Sequence, residues 1–197
     1  MVTKHQIMRS EILLENLNTD LRQIQQTVQS QFGELNQEQL NWKENSNTWS
    51  IAECLEHLNI YAAYYLPTIE RLMEKAKKDI GFAKLEAKSN WFGKYSINSI
   101  SPSNTKKIKT MKHLDPSRSK IEGDVLKKFL NYQDQFYSIL EKASAVNLNK
   151  VKVPVEFFKL LKINLGDCFQ FLIAHEQRHL NQALAVKKKM ENIAKVA

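Results

Sequence analysis

Apolar residues recur every three or four positions along four long stretches of the chain, the spacing of amphipathic helices that each turn one face inward. In the first, between about His5 and Phe32, the repeat is Ile7, Leu14, Leu17, Leu21, Ile24 and Val28, and Gly33 is a suitable stop. The second opens on Asn47-Thr48-Trp49-Ser50-Ile51-Ala52-Glu53. Ser50 followed three residues later by Glu53 predicts a capping box, in which each side chain satisfies a free backbone N–H at the helix start. Trp49, just ahead of the cap, is placed to pack over Cys54 as a hydrophobic staple. This helix turns Leu55, Leu58, Tyr61, Tyr65, Ile69 and Leu72 inward and fades near Ile80 and Gly81. Pro67 removes one backbone hydrogen bond from its interior and predicts a bend near Ala63. The third helix is expected from about Ser119 to Ala145, with Ile121, Val125, Phe129, Tyr132, Phe136 and Ile139 on its inner stripe. The last begins near Leu165 and continues past Val186.

Two stretches lack this periodicity. Between Gly81 and Arg118 lie Trp91, Phe92, Tyr95, Pro102 and Pro116. A connection of that length in a compact domain is usually functional or mobile. Its Trp91 and Phe92 are expected to pack it onto the bundle or to cover a site. A second connection runs between Val146 and Asn164 and includes Pro154. The expected fold is all-α, a four-helix bundle with crossover connections, forming one domain over residues 1–197. With 5 glycines and 4 prolines in the chain, tight turns are too few for a sandwich or barrel of short strands.

Charge widens the range of partners without choosing among them. A formal net charge of +8 permits nucleic acid, an acidic membrane surface or an anionic small molecule. Lys106, Lys107, Lys109 and Lys112 form one basic cluster and Lys187, Lys188 and Lys189 another. Neither has aromatics spaced as stacking platforms, nor a nucleic-acid motif, so both read as solvated lysine surface and nucleic acid is disfavoured. No run approaches the roughly 20 apolar residues of a membrane span, and MVTKHQIMRS lacks the apolar run of a signal peptide. The expectation is a cytoplasmic protein with no membrane partner. Cys54 and Cys168 fall within predicted helices beside apolar residues, as two buried, reduced thiols would.

The histidines carry the candidate chemistry. His5 and His113 read as surface residues. His175-Glu176-Gln177-Arg178-His179 places two imidazoles four positions apart, one turn above the other, on the inner stripe of Cys168, Leu172, His175, His179, Gln182 and Val186. Two rings so placed can share one divalent ion. His57, two turns into the second helix beside Cys54, Tyr61 and Tyr64, is a possible third ligand. Three imidazoles leave at least one coordination position for water or substrate, which favours chemistry over a closed structural site. Glu176 and Gln182 are candidates to orient an imidazole or a bound water. Glu53 is assigned to the cap. Tyr61, Tyr64 and Tyr65 either line a pocket or fill the core.

Trp49-Ser50-Ile51-Ala52-Glu53-Cys54-Leu55-Glu56-His57-Leu58 resembles the second-helix start of the DinB-like superfamily, and His175-Glu176-Gln177-Arg178-His179-Leu180-Asn181-Gln182 resembles its last-helix motif. That superfamily includes bacillithiol- and mycothiol-dependent transferases and related metal-dependent hydrolases. The resemblance implies a four-helix bundle of unusual connection order, commonly a homodimer, with a metal held by His57, His175 and His179. It implies a thiol S-transferase or a hydrolase acting on a small-molecule substrate, with a low-molecular-weight thiol as cofactor in the first case. The alternative is a non-catalytic metal-binding stress-response or binding protein. Three histidines accept zinc or nickel first, and also iron, cobalt, copper or manganese.

Overall fold

A computed structural model describes residues 8–76, 86–104, 106, 110–117, 121, 123–156 and 158–196, with the backbone alone for residues 158, 159 and 196. The expectations placed on His5, Ile7, Ile80, Gly81, Lys107, Lys109, Arg118 and Ser119 lie outside those residues.

Four long helices form the frame: α1 (Ser10–Phe32), α3 (Ile51–Lys75), α5 (Val125–Ala143) and α6 (Leu165–Val196). Two shorter ones, α2 (Gln37–Asn41) and α4 (Trp91–Ile100), sit in the connections. Helix α1 packs against α5 and α6, and α3 packs against the same two. Consecutive helices α1 and α3 therefore stand diagonally across the bundle, as do α5 and α6, which makes this a crossover topology rather than a meander. The predicted stripes are buried: Leu14, Leu17, Leu21, Ile24 and Val28 from α1 meet Phe129, Phe136 and Ile139 from α5 in one core with Leu55, Ile69 and Phe169. Cys54 and Cys168 are buried free thiols in that core, and burial pushes both well above the ordinary thiol range.

The start of α3 is set by the box that the sequence predicts. Ser50 Oγ accepts from Glu53 N at 3.1 Å, and Glu53 Oε2 accepts from Ser50 N at 2.7 Å. Lys43 Nζ meets the other carboxylate oxygen at 2.5 Å, so this buried glutamate is fully partnered. Helix α3 runs on through Pro67. Both Pro67 and Ala63 are exposed, on a side of the helix where water can serve the carbonyl left without its helical donor.

Two parts of the frame differ from the sequence reading. Helix α5 begins at Val125, not near Ser119, and ends at Ala143. Gly123 takes φ +79°, and Asp124 caps the helix by accepting from Lys127 N at 2.9 Å. Ile121 lies ahead of that turn, its N–H and C=O held by the side chain of Asn41 at 3.1 and 3.0 Å. The connection ahead of α6 contains an antiparallel hairpin, β1 (Lys152–Val155) and β2 (Phe158–Asn164). Pro154 fits because β1 has a single pairing partner and the register is irregular beside it.

The long first connection is pinned to the bundle in its first half. Asn90 caps α4 by accepting from Gly93 N at 2.6 Å. Buried Asp167, in the first turn of α6, accepts from Ser89 Oγ at 2.5 Å and Asn90 N at 3.3 Å. Gly93 lies so close that a Cβ there would fall 2.2 Å from Asp167 Oδ2. Phe92 packs partly into the core, whereas Trp91 is 78% exposed. Trp91 therefore neither packs the connection down nor covers a buried site.

Candidate metal centre

Because α3 and α6 are neighbours, the inner stripes bring His57, His175 and His179 to one point, all three buried. His57 Nε2 lies 3.2 Å from His175 Nε2, and His179 Nε2 lies 3.1 Å from the same atom. The candidate donor atoms of all three fall within 4.8 Å of one another.

His57 Nδ1 donates to the backbone carbonyl of Leu114 at 2.7 Å. A carbonyl only accepts, so Nδ1 carries the proton and Nε2 of the neutral ring keeps its lone pair. His179 Nδ1 donates to Gln182 Oε1 at 3.2 Å, with the same consequence. Burial lowers the pKa of His57, an effect partly offset by the Leu114 carbonyl and the Asp115 charge. His175 is held well below the usual range by burial and by the charges of His179, His57 and Arg178. His179 falls to about 3, chiefly through burial. All three rings are thus neutral at physiological pH, the form that ligates.

His57 Nε2 and His179 Nε2 both turn a lone pair toward His175 Nε2, at 3.2 and 3.1 Å, and one proton on that atom can satisfy only one of them, whereas a cation among the three satisfies all. Three nitrogens sharing a tetrahedral ion at roughly 2.0–2.1 Å would stand about 3.3 Å apart. The donor set therefore suits a divalent ion in type and spacing.

Aromatic rings enclose the cluster. Trp49 stacks on His179, centroids 5.5 Å apart at 20°, and lies 4.9 Å from His57. From its place ahead of the cap, where the sequence predicts a staple over Cys54, it also reaches the histidines. Tyr61 lies 4.4 Å from His175 and 4.9 Å from His57, and Phe171 stacks on His175 at 5.8 Å. Burial and the Glu156 carboxylate push the Tyr61 hydroxyl up to about 12. Tyr65 belongs to the core and accepts from Glu156 N at 3.1 Å. Tyr64 is partly buried.

Of the two candidates for orienting an imidazole, Gln182 does so. Glu176 is buried and accepts from Gln133 Nε2 of α5 at 3.0 Å instead. Among the described residues, Glu176 Oε2 and Gln133 Oε1 have no hydrogen-bond partner. Burial raises the Glu176 carboxyl to about 8, against the opposing pull of Gln133. Between the two α6 histidines, Arg178 reaches outward and donates to the carbonyls of Asn104 at 2.5 Å and Lys106 at 2.7 Å. His113 pairs with Glu156 at 2.9 Å beside the hairpin turn. The Leu114 carbonyl, the Trp49 stack, Gln133 and Arg178 escape sequence reasoning, since each is joined to the site by the tertiary fold alone.

Known proteins agree with this architecture. YfiT from Bacillus subtilis, described as a probable metal-dependent hydrolase with an unusual four-helix bundle topology, superposes with a TM-score of 0.58. The match covers 96% of this chain and 93% of YfiT at 10% identity, a likeness of fold. The uncharacterized protein YuaE of Bacillus subtilis is 26% identical over 158 residues, 80% of this chain and 88% of YuaE. The sequence profile of the DinB superfamily matches residues 20–183, and the chain belongs to that superfamily.

Proposed function

We propose that His57, His175 and His179 hold one divalent metal ion, and that the centre serves a metal-dependent hydrolase or thiol S-transferase. The observation carrying this reading is the convergence of three buried, neutral imidazoles on one point, with Nε2 atoms 3.1 and 3.2 Å apart. The description of YfiT as a probable metal-dependent hydrolase supports the same class.

A divalent ion held there supplies Lewis acidity, lowering the pKa of a water or thiol that binds it. The chain's own groups prepare the site. Leu114 and Gln182 fix two of the rings with their lone pairs inward. Trp49, Tyr61 and Phe171 keep bulk water from the donors and give a substrate an apolar wall. Zinc or nickel suits three imidazoles, and the two buried free thiols suit a reducing, cytoplasmic setting.

Elemental analysis of the untagged protein tests the reading, beside the triple variant His57→Ala, His175→Ala, His179→Ala. Close to one metal ion per chain, lost in the variant, is the expected result. No metal after supply of zinc, nickel, iron and manganese would overturn it. Assays of the loaded protein with activated esters, and with bacillithiol or mycothiol plus an electrophile, separate hydrolase from transferase. Stoichiometric metal with no turnover in either would leave a metal-binding protein without catalysis.

A further inference from the structure

We propose that the outer face formed by α4 and the β1–β2 hairpin docks this protein on an anionic lipid bilayer. The inference is independent of the metal centre and rests on where charge and exposed apolar surface lie.

Residues 87–113 contain six lysines and no aspartate or glutamate. Residues 146–166 contain four lysines and one acid, Glu156. Ten lysines less one glutamate is +9, against +8 for the whole chain, so everything outside these two segments sums to −1. The positive charge of the protein is thus a property of its two connections.

The fold joins them. Asn164 Nδ2 donates to the carbonyl of Lys88 at 2.5 Å, and Asn149 Oδ1 accepts from Lys88 N at 2.7 Å. Lys88, Lys94, Lys106, Lys112, Lys150, Lys152 and Lys162 are all exposed. None takes part in the ion pairs formed among the described residues. Exposed Glu86 lies at the margin of the segment, and Glu156 is engaged with His113.

Large apolar side chains are exposed on α4 and β2, two elements that touch. Trp91 is 78% exposed, Tyr95 one turn later 65%, and Leu160 on β2 84%. Phe92 links the two aromatics, with ring centroids 5.6 and 6.5 Å away, and is itself rooted in the core. The contact of Gly93 with Asp167 fixes α4 on α6, so the aromatic tips sit on a rigid base. Tryptophan and tyrosine settle at the headgroup level of a bilayer, and lysines are drawn to its anionic surface. Leu160 and Met111 have no ring on which a base could stack, which favours lipid over single-stranded nucleic acid. Docking of this kind needs no spanning helix, and no described helix is long and apolar enough to cross a membrane.

Flotation with vesicles tests the proposal, using phosphatidylcholine alone and phosphatidylcholine mixed with phosphatidylglycerol, at low and high salt. The expected result is binding to the anionic vesicles alone, weakened by salt. Lys88→Ala with Lys94→Ala should weaken it on the order of tenfold, while Lys142→Ala with Lys189→Ala, an equal loss of charge from ion-paired lysines, should leave it unchanged. Trp91→Ala with Tyr95→Ala should weaken it severalfold, and brominated lipid should quench tryptophan fluorescence in the wild type but not in Trp91→Phe. No binding to anionic vesicles at low salt, or equal binding by both lysine pairs, would overturn the proposal. Binding to an oligothymidylate without binding to vesicles would also overturn it, assigning the face to nucleic acid.

Discussion

Lys43, Lys128, Lys142, Lys187 and Lys189, on or beside the bundle helices, each meet a glutamate. The exposed lysines of the two connections meet none among the described residues. The two regions also differ in how they are held. The helices bury continuous apolar stripes, whereas the first connection combines partly buried Phe92, Ile97 and Ile100 with a few polar points: the Asp167 knot, the Arg178 clasp and the backbone of Leu114. A near-neutral frame thus fixes the two histidine-bearing helices, and a basic layer over it orients one imidazole and faces outward. Variation that adapts this protein to a partner has room in the second region and little in the first.

The strongest challenge to that division is Gly93→Val. The added carbons would meet Asp167 Oδ2 at 2.2 Å and its Cβ at 2.9 Å, positions from which a buried side chain cannot retreat. Urea unfolding should show a loss on the order of 2–3 kcal/mol. A lower midpoint in one cooperative transition would show the connection to be fused to the bundle. Early loss of a local signal, with the bundle midpoint unmoved, would make it a separate unit.

Glu53→Ala acts within the frame. It removes the reciprocal cap of α3 and the partner of Lys43, and should lower stability by about 1–2 kcal/mol, seen in the same titration. An unchanged midpoint would mean that packing alone sets the start of the helix.

A smaller effect comes from pH. Burial raises the Asp167 carboxyl above the ordinary carboxylate range, outweighing its hydrogen bonds to Ser89 and Asn90. An acid with a raised folded pKa favours folding while protonated, so its contribution falls as pH climbs from the ordinary range through the folded value. Stability of Asp167→Asn relative to wild type should therefore rise over that acidic window and level off above it. A flat difference would remove desolvation as the cause.

Least of all should come from Lys142→Ala. Its ion pair with Glu70 joins two side chains in water, and thermal unfolding should not register its loss. A measurable drop would mean that the paired surface of the bundle contributes to stability beyond neutrality.

What was legible in the sequence follows the same division. The long helices announce themselves through their stripes, and Ser50 with Glu53 marks the start of α3 to the residue. His57, His175 and His179 could be chosen because two sit one turn apart and the third lies on a helix whose motif is shared. The hairpin was not legible, since a short apolar run containing Pro154 carries no strand period. Nor was the Asp124 start of α5, hidden because Ile121 continues the apolar spacing through a turn. The Trp49 stack on His179 was not legible, because an aromatic before a cap fits a staple as well as a ring stack. The Gln133–Glu176 pair joins two diagonal helices, and only the topology reveals that they face each other.

One contact has a consequence for inheritance. His57 is steered by the main chain of residue 114, not by a side chain. No codon change at that position deletes a carbonyl, so the tether is immune to the commonest kind of mutation and sensitive instead to insertion or deletion in the turn around it. Lineages could rewrite this connection letter by letter while the imidazole kept its aim, whereas a shift of one residue in length would release it.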